Sequence, residues 1–458
     1  MTKKIIIIGG GAAGPKTAAK LRRQNADYQI DLYTKEDVVS YSACGLPYYI
    51  EGIVDDYKKL IIRTPEKFAE SNINIHLRQE CLDIFPEQNE VYLKDLTSGL
   101  EYKKCYDTLV LATGANPFIP PIENVDLENV FTLRTLDDGI KIRQAMLNNK
   151  TVTIIGGGYI GIEILEAFVK NGLKVNIVEV NNHIMSIFDD DMAELIQKHV
   201  LCKSGDVVNI ITGESVVKFE DENGVVKRVI TSSGKVLDTD FVIIAAGVVP
   251  NSKLAKKIGL KMGIKDTIWV TSHFNTSDPH IYAAGDCVEK NHIITHKPNW
   301  LPLGSTANKE GRCAAINISG ENCNFDGVLG SAVTKYFAFT MSLTGISEKD
   351  AKKLGYEVES VVVTKYDRAG YMPEVENVTI KLIVDKNSHD ILGAQAIGCG
   401  DADKRINTVS SAILSSTKID EFLNLDLPYA PPYSPAIDPL LNAAQIIYDR
   451  ITSENNAI

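Results

Sequence analysis

One cysteine of the eight stands apart. Cys44 lies in Ser40-Tyr41-Ser42-Ala43-Cys44-Gly45-Leu46-Pro47-Tyr48, where Gly45 and Pro47 argue against an ordinary helix interior. A thiolate there can attack a disulfide or persulfide, forming a mixed disulfide and expelling a thiol, or it can be oxidised by peroxide to a sulfenic acid. The position five before it is Val39, and the next cysteine is Cys81, 81 − 44 = 37 residues on, so no local partner offers an internal disulfide. Cysteines 81, 105, 202, 287, 313, 323 and 399 lack such a context and read as structural. No Cys-x-x-Cys pair occurs among the eight, and no metal is expected.

The second chemistry is phosphate binding, and its pattern occurs twice. A strand at 3–8 runs into Gly9-Gly10-Gly11-Ala12-Ala13-Gly14, then a helical face through Ala18, Ala19 and Leu21, then a strand at 29–33. The pattern returns as a strand at 151–155, Gly156-Gly157-Gly158-Tyr159-Ile160-Gly161, a helix through 168–171 and a strand at 174–179. In such a unit the first glycine permits the tight turn, the second lets backbone approach a pyrophosphate, and the third lets helix pack on strand. The helix N-terminus then offers N–H groups to the phosphates. Two copies in this context predict two dinucleotide sites. Glu179 ends the second unit, where its carboxylate would accept from a ribose 2′-hydroxyl and repel a 2′-phosphate, so NADH is expected over NADPH. In the first unit the corresponding residue is Thr34, beside Lys35, with Glu36 the nearest acid.

These elements must be carried by a chain of 458 residues, a length that suggests about three domains. Hydrophobic residues are 44% and charged residues 23%, which excludes a disordered or disulfide-scaffold chain. A net charge of −11 argues against nucleic acid or an anionic membrane as a partner, and no apolar run is long enough to span a bilayer. A cytoplasmic location is expected. Strands at 358–364 and 378–384, then a helix around 408–415, read as a C-terminal α+β domain.

These motifs resemble those of FAD-dependent pyridine nucleotide-disulfide oxidoreductases. The likeness is to the single-cysteine branch holding coenzyme A-disulfide reductases, NADH-dependent persulfide reductases, NADH oxidases and NADH peroxidases. It covers essentially the whole chain and includes 109–115 (LVLATGA), 245–251 (AAGVVPN) and 281–286 (IYAAGD). The resemblance implies an α/β, glutathione reductase-like fold, with two Rossmann-like dinucleotide-binding domains and a C-terminal α+β dimerisation domain. The FAD domain would take 1–116 and 251–325, the NAD(H) domain 117–250 and the interface domain 326–458. FAD and NADH are the implied cofactors and a homodimer the implied assembly. Gly9, Gly11, Gly14, Thr34, Lys35, Thr113, Gly114, Gly247 and Asp286 would serve FAD, Asp286 at the ribityl chain. Gly156, Gly158, Tyr159, Ile160, Gly161, Glu163 and Glu179 would serve NADH, with Tyr159 a movable gate. The redox segment would place Cys44 at a helix start, where the dipole favours thiolate.

Tyr371 and Tyr429 match two tyrosines that coenzyme A-disulfide reductase relatives bring from the other subunit, as catalytic proton donors. Arg22 and Arg23 resemble the family's pair for coenzyme A phosphates, Lys67 adds a cation, and Ser40 and Ser42 would line the approach to sulfur. The expected activity is NADH-dependent reduction of a disulfide or persulfide, with coenzyme A disulfide or a related small persulfide foremost. Peroxidases and water-forming oxidases of the family carry a histidine in the first glycine motif where this chain has Ala12, which places the NADH oxidase/peroxidase reading second. A flavin redox sensor without turnover is the third.

Overall fold

The computed structural model describes residues 3–456, which form two compact units: 3–118, 134–140 and 247–328 in one, and 119–133, 141–246 and 329–456 in the other. The first unit is built on a five-stranded parallel sheet in the order Ile281–Ala283, Thr108–Leu111, Lys4–Ile8, Gln29–Tyr33, Ile73–His76. Its central strand, KIIII, is buried on both faces, with Ile5 and Ile7 fully inaccessible, as a parallel strand between helical layers requires. Helix Ala13–Gln24 crosses from the first strand to the second and packs against helix Gly304–Ile318, where Thr17 Oγ1 donates to the Gly311 carbonyl at 3.1 Å. A three-stranded antiparallel sheet, Gln79–Phe85, Glu90–Asp95 and Glu101–Cys105, belongs to the same unit.

The second unit repeats the parallel plan in the order Val208–Thr212, Lys174–Glu179, Thr151–Ile155, Phe241–Ile244, Val130–Thr132. It also holds a five-stranded antiparallel sheet, Ala332–Tyr336, Phe339–Gly345, Ile391–Gly398, Asn377–Asp385 and Val358–Tyr366 in spatial order. Helices Ala402–Leu414 and Pro439–Asn456 cover it through Ile406, Val409, Leu440 and Ile447, which join Val378, Ile380, Leu382, Ala394 and Ala396 of the strands in one core. No described helix is long and apolar enough to cross a membrane.

Candidate active site

In both glycine turns the third glycine is fixed by a backbone contact. A Cβ on Gly14 would lie 2.0 Å from the Gly9 carbonyl oxygen, and one on Gly161 would lie 2.2 Å from that of Gly156. Gly9 itself turns at φ +126, beside the Ala112 carbonyl. The middle glycines differ, because a Cβ on Gly11 or Gly158 would meet nothing within 4 Å. Each turn therefore offers open space above a helix start, which is where a pyrophosphate fits.

In the first unit the open turn leads to Asp286. Its Oδ2 pairs with Arg134 Nη2 at 3.3 Å, while Oδ1 is buried without a hydrogen-bond partner among the described residues. An orphaned carboxylate oxygen suits a hydroxyl donor, as the ribityl chain of FAD would supply. Three groups hold this aspartate's turn. Trp300 Nε1 donates to the Asp286 carbonyl at 2.8 Å, the Gly285 N–H donates to Glu310 Oε2 at 2.6 Å, and Glu310 Oε1 pairs with buried Lys290 at 2.9 Å. Burial pushes the Glu310 carboxyl above its ordinary range despite that lysine. The segments flanking Gly114 and Gly247 pair antiparallel as Ala115–Pro117 with Val248–Pro250. Thr113 Oγ1 joins them by donating to the Asn251 carbonyl, and Asn251 N–H donates to the Gly114 carbonyl at 2.9 Å. Thr34 is buried against Gly10, and exposed Lys35 follows it. The Glu36 carboxylate accepts from the Tyr41 hydroxyl, and burial raises both groups.

Arg134 was missed by the sequence reasoning. Thr135 and Asp138 form a reciprocal cap, with Thr135 N–H donating to Asp138 Oδ2 at 2.8 Å and Asp138 N–H to Thr135 Oγ1 at 3.2 Å. The Thr-x-x-Asp spacing signals the helix start that follows. Nothing local in the sequence signals that the arginine beside it reaches Asp286, 152 positions away.

Cys44 sits in the short turn Ala43–Gly45, immediately before helix Leu46–Glu51. It is exposed, and none of the eight cysteines is in a disulfide. Its segment is tied directly to the first glycine turn, since the Ser40 N–H donates to the Gly10 carbonyl at 2.9 Å. On the other side, Ser42 N–H donates to the Leu60 carbonyl at 2.9 Å, and Ile62 N–H to the Ser40 carbonyl at 2.8 Å. Ser40 takes φ +54 to make this turn. Ala12, where a histidine would stand in a peroxidase-like member, precedes helix Ala13–Gln24.

Arg22 is half-buried, and its guanidinium donates to the carbonyls of Asn25, Ala26, Tyr28 and Asn72, the last two at 2.6 and 2.7 Å, which ties down the chain after its helix. Arg23 is exposed, and so is Lys67, whose amine pairs with Glu70 at 3.0 Å.

In the second unit Glu179 is buried and braced. Gly157 N–H donates to its Oε2 at 2.6 Å, and Asn181 N–H and Nδ2 donate to Oε1 at 2.9 and 2.6 Å. Tyr159 and Ile160 open helix Tyr159–Lys170. The Tyr159 hydroxyl is buried without a hydrogen-bond partner among the described residues, and burial, reinforced by Glu163, raises the phenol. Glu163 is itself raised by burial, and accepts from Thr334 Oγ1 at 3.1 Å. Tyr371 and Tyr429 are 76% and 52% exposed, on turns joined by a hydrogen bond from Ala369 N–H to the Pro431 carbonyl at 3.1 Å. Buried Arg405 donates to the Asp367 carbonyl, four residues before Tyr371, at 3.0 Å and to Asp438 Oδ2, at the start of helix Pro439–Asn456, at 3.1 Å.

The family model for pyridine nucleotide-disulphide oxidoreductases matches residues 3–311, and that for their dimerisation domain matches 331–440. The chain belongs to this family. It is 35% identical over 451 residues to the NAD(P)H coenzyme A polysulfide/persulfide reductase of Pyrococcus horikoshii, covering 98% of this chain and 99% of that protein. It is 37% identical over 455 residues to an NADH oxidase of Methanocaldococcus jannaschii, covering 98% of this chain and all of the other. Among solved structures, reduced Bacillus anthracis CoADR-RHD superposes with a TM-score of 0.95 at 36% identity, covering 99% of this chain and 81% of that one. Membership makes the protein an NAD(P)H-dependent flavin disulfide oxidoreductase with a glutathione reductase-like fold, implies FAD and NAD(P)H as cofactors, and through the dimerisation domain implies a homodimer.

Proposed function

We propose that this oxidoreductase uses NADH to reduce a low-molecular-weight disulfide or persulfide, coenzyme A disulfide or a coenzyme A persulfide foremost, with Cys44 as its one redox sulfur. The observation that carries the reading is the place of exposed Cys44, just before helix Leu46–Glu51 and four residues after Ser40, whose N–H donates to the Gly10 carbonyl of the first glycine turn. Bound FAD supplies two-electron transfer from NADH to sulfur. The chain's own residues do the rest. Asp286 Oδ1 and the open turn at Gly11 hold the flavin's ribityl and phosphate groups. Glu179, fixed by Gly157 and Asn181, selects a free ribose 2′-hydroxyl and so NADH.

Cys44 attacks the substrate disulfide, forming a mixed disulfide and expelling one thiolate. Tyr371 and Tyr429, presented by the partner subunit, protonate that leaving sulfur. Their exposure on one chain suits groups that complete another subunit's site. Arg23 and Lys67 meet coenzyme A phosphates, while Arg22 keeps the adjoining loop in place. Ala12 supplies no imidazole at the position where the family's peroxidases carry a histidine, which disfavours the sulfenic-acid route. The relative named as a coenzyme A polysulfide/persulfide reductase supports the same choice. The test is steady-state NADH oxidation by FAD-loaded enzyme with coenzyme A disulfide, coenzyme A persulfide, hydrogen peroxide or oxygen as acceptor. The reading requires the sulfur acceptors to give the highest kcat/KM; a higher value for peroxide or oxygen would install the oxidase/peroxidase reading, and failure with all four would leave the sensor.

A further inference from the structure

Helix Gly304–Ile318 brings together two of the cysteines read as structural. Beyond Cys313 the helix runs to Ile318, Ser319 follows it, and Gly320 at φ +85 reverses the chain. Cys323 thereby returns beside Cys313, whose Sγ lies 3.0 Å from the Cys323 carbonyl oxygen. Asn317 braces the pair. Its Nδ2 donates to the Cys323 carbonyl at 2.8 Å and to Cys313 Sγ at 3.5 Å, and its Oδ1 accepts from the Cys323 N–H at 2.8 Å. Cys313 is buried, and burial pushes its thiol well above the ordinary range. Cys323 is half-buried in the loop that follows Gly320, and is the sulfur that solvent reaches first.

We propose that Cys313 and Cys323 form a second thiol–disulfide exchange site, separate from Cys44, which closes to an intramolecular disulfide on reaction with a low-molecular-weight disulfide. Cys323 as thiolate attacks one sulfur of the external disulfide, becoming a mixed disulfide and expelling the first thiolate. Cys313 attacks the Cys323 sulfur, breaking the mixed disulfide and expelling the second thiolate, which takes up the proton that Cys313 loses. The two protein thiols lose two electrons and two protons, and the external disulfide leaves as two thiols. The contact that Asn317 maintains makes the second step intramolecular and favours it over persistence of the mixed disulfide. The product ties helix Gly304–Ile318 to its own return loop.

Trypsin cleaves after Arg312 and Lys335, so both cysteines and no others fall on peptide 313–335. FAD-loaded enzyme is incubated with oxidised glutathione, denatured, alkylated with iodoacetamide and digested. The proposal requires this peptide lighter by two hydrogens than its reduced form, with both alkylation sites lost. In Cys323→Ser the link should be absent and Cys313 alkylated. Alkylation of both cysteines in the treated wild type, or glutathione retained on Cys323 beside an alkylated Cys313, would overturn it.

Discussion

Asp286 has two unequal carboxylate oxygens, one engaged by Arg134 and one buried without a partner among the described residues. If the second receives a ribityl hydroxyl, Asp286→Ala should weaken FAD binding by roughly tenfold to a hundredfold, the worth of a hydrogen bond to a charged group. Flavin fluorescence titration of the apoprotein measures it, and an unchanged affinity would remove Asp286 from the site. Glu179 makes a claim of a different kind. Glu179→Ala should narrow the NADH over NADPH preference by about tenfold or more, since a repelled 2′-phosphate would no longer face a carboxylate. The kcat/KM ratio for the two nucleotides reads this directly, and an unaltered ratio would move selection elsewhere. The placements of Cys44 just before a helix and of Glu179 at the end of the second unit's strand were legible, the first from Gly45 and Pro47 and the second from its offset to the glycine motif. The Arg134 contact was not, since Asp286 lies 152 positions away, and the Trp300 and Glu310 contacts, 14 and 25 positions from their partners, follow no local spacing rule. For Arg22 the sequence supplies the charge, while the carbonyls that accept from it, three just beyond its helix and one at Asn72, show only in the folded chain.

At the level of elements, the two glycine turns separate packing from binding. Gly14→Ala forces a methyl against the Gly9 carbonyl and should destabilise even the apoprotein, by about 1–3 kcal/mol as overpacking does. Gly11→Ala meets no protein atom within 4 Å, so apoprotein stability should hold while FAD affinity falls. Thermal unfolding of both apoproteins beside flavin titration distinguishes the two; equal loss of stability would contradict the assignment of Gly11 to the ligand.

A second element-level device fastens strand Asn377–Asp385 to helix Asp190–Ser204. Buried Lys381 lies 2.8 Å from Asp191, 2.8 Å from Glu348 and 3.5 Å from Asp189. Burial alone would raise the Glu348 carboxyl, but hydrogen bonds from Lys352, Lys381 and Ser360 hold it down to about 2. A depressed carboxylate contributes stability above its ordinary value of 4.5 and loses it as pH falls towards about 2. Glu348→Gln should therefore cost about 1–2 kcal/mol near neutrality, and the gap from wild type should close across that acid window. Denaturant unfolding at a series of pH values follows it; a gap that does not vary with pH would contradict the linkage. The strands at 4–8, 29–33, 151–155, 174–179, 358–366 and 377–385 were legible from their apolar runs and turns, whereas the antiparallel strands Gln79–Phe85, Glu90–Asp95 and Glu101–Cys105, with mixed polar composition, were not. This ion cluster was not, because its members are ordinary surface-type residues until tertiary contacts bury Lys381.

For the whole molecule, the exposed tyrosine turns give a test that a monomeric site cannot pass. A Cys44→Ser subunit and a Tyr371→Phe/Tyr429→Phe subunit are each expected to be inactive or severely impaired as homodimers. Unfolded together and refolded in equal amounts, they should recover about a quarter of wild-type activity, because half the dimers are mixed and each mixed dimer has one intact site. No recovery, with heterodimers confirmed by native mass spectrometry, would place the tyrosines outside the partner's site. The dimeric plan was legible only through resemblance to a family, for no periodicity in the strands marks one face of the C-terminal sheet as an interface.

The most direct trial of a lone redox sulfur is stopped-flow spectroscopy of FAD-loaded Cys44→Ser, mixed first with NADH and then with coenzyme A disulfide. Flavin reduction by NADH should proceed near the wild-type rate, while reoxidation by the disulfide should slow by roughly a thousandfold or more, as removal of a catalytic nucleophile does. Reoxidation at the wild-type rate would mean that another group receives the electrons.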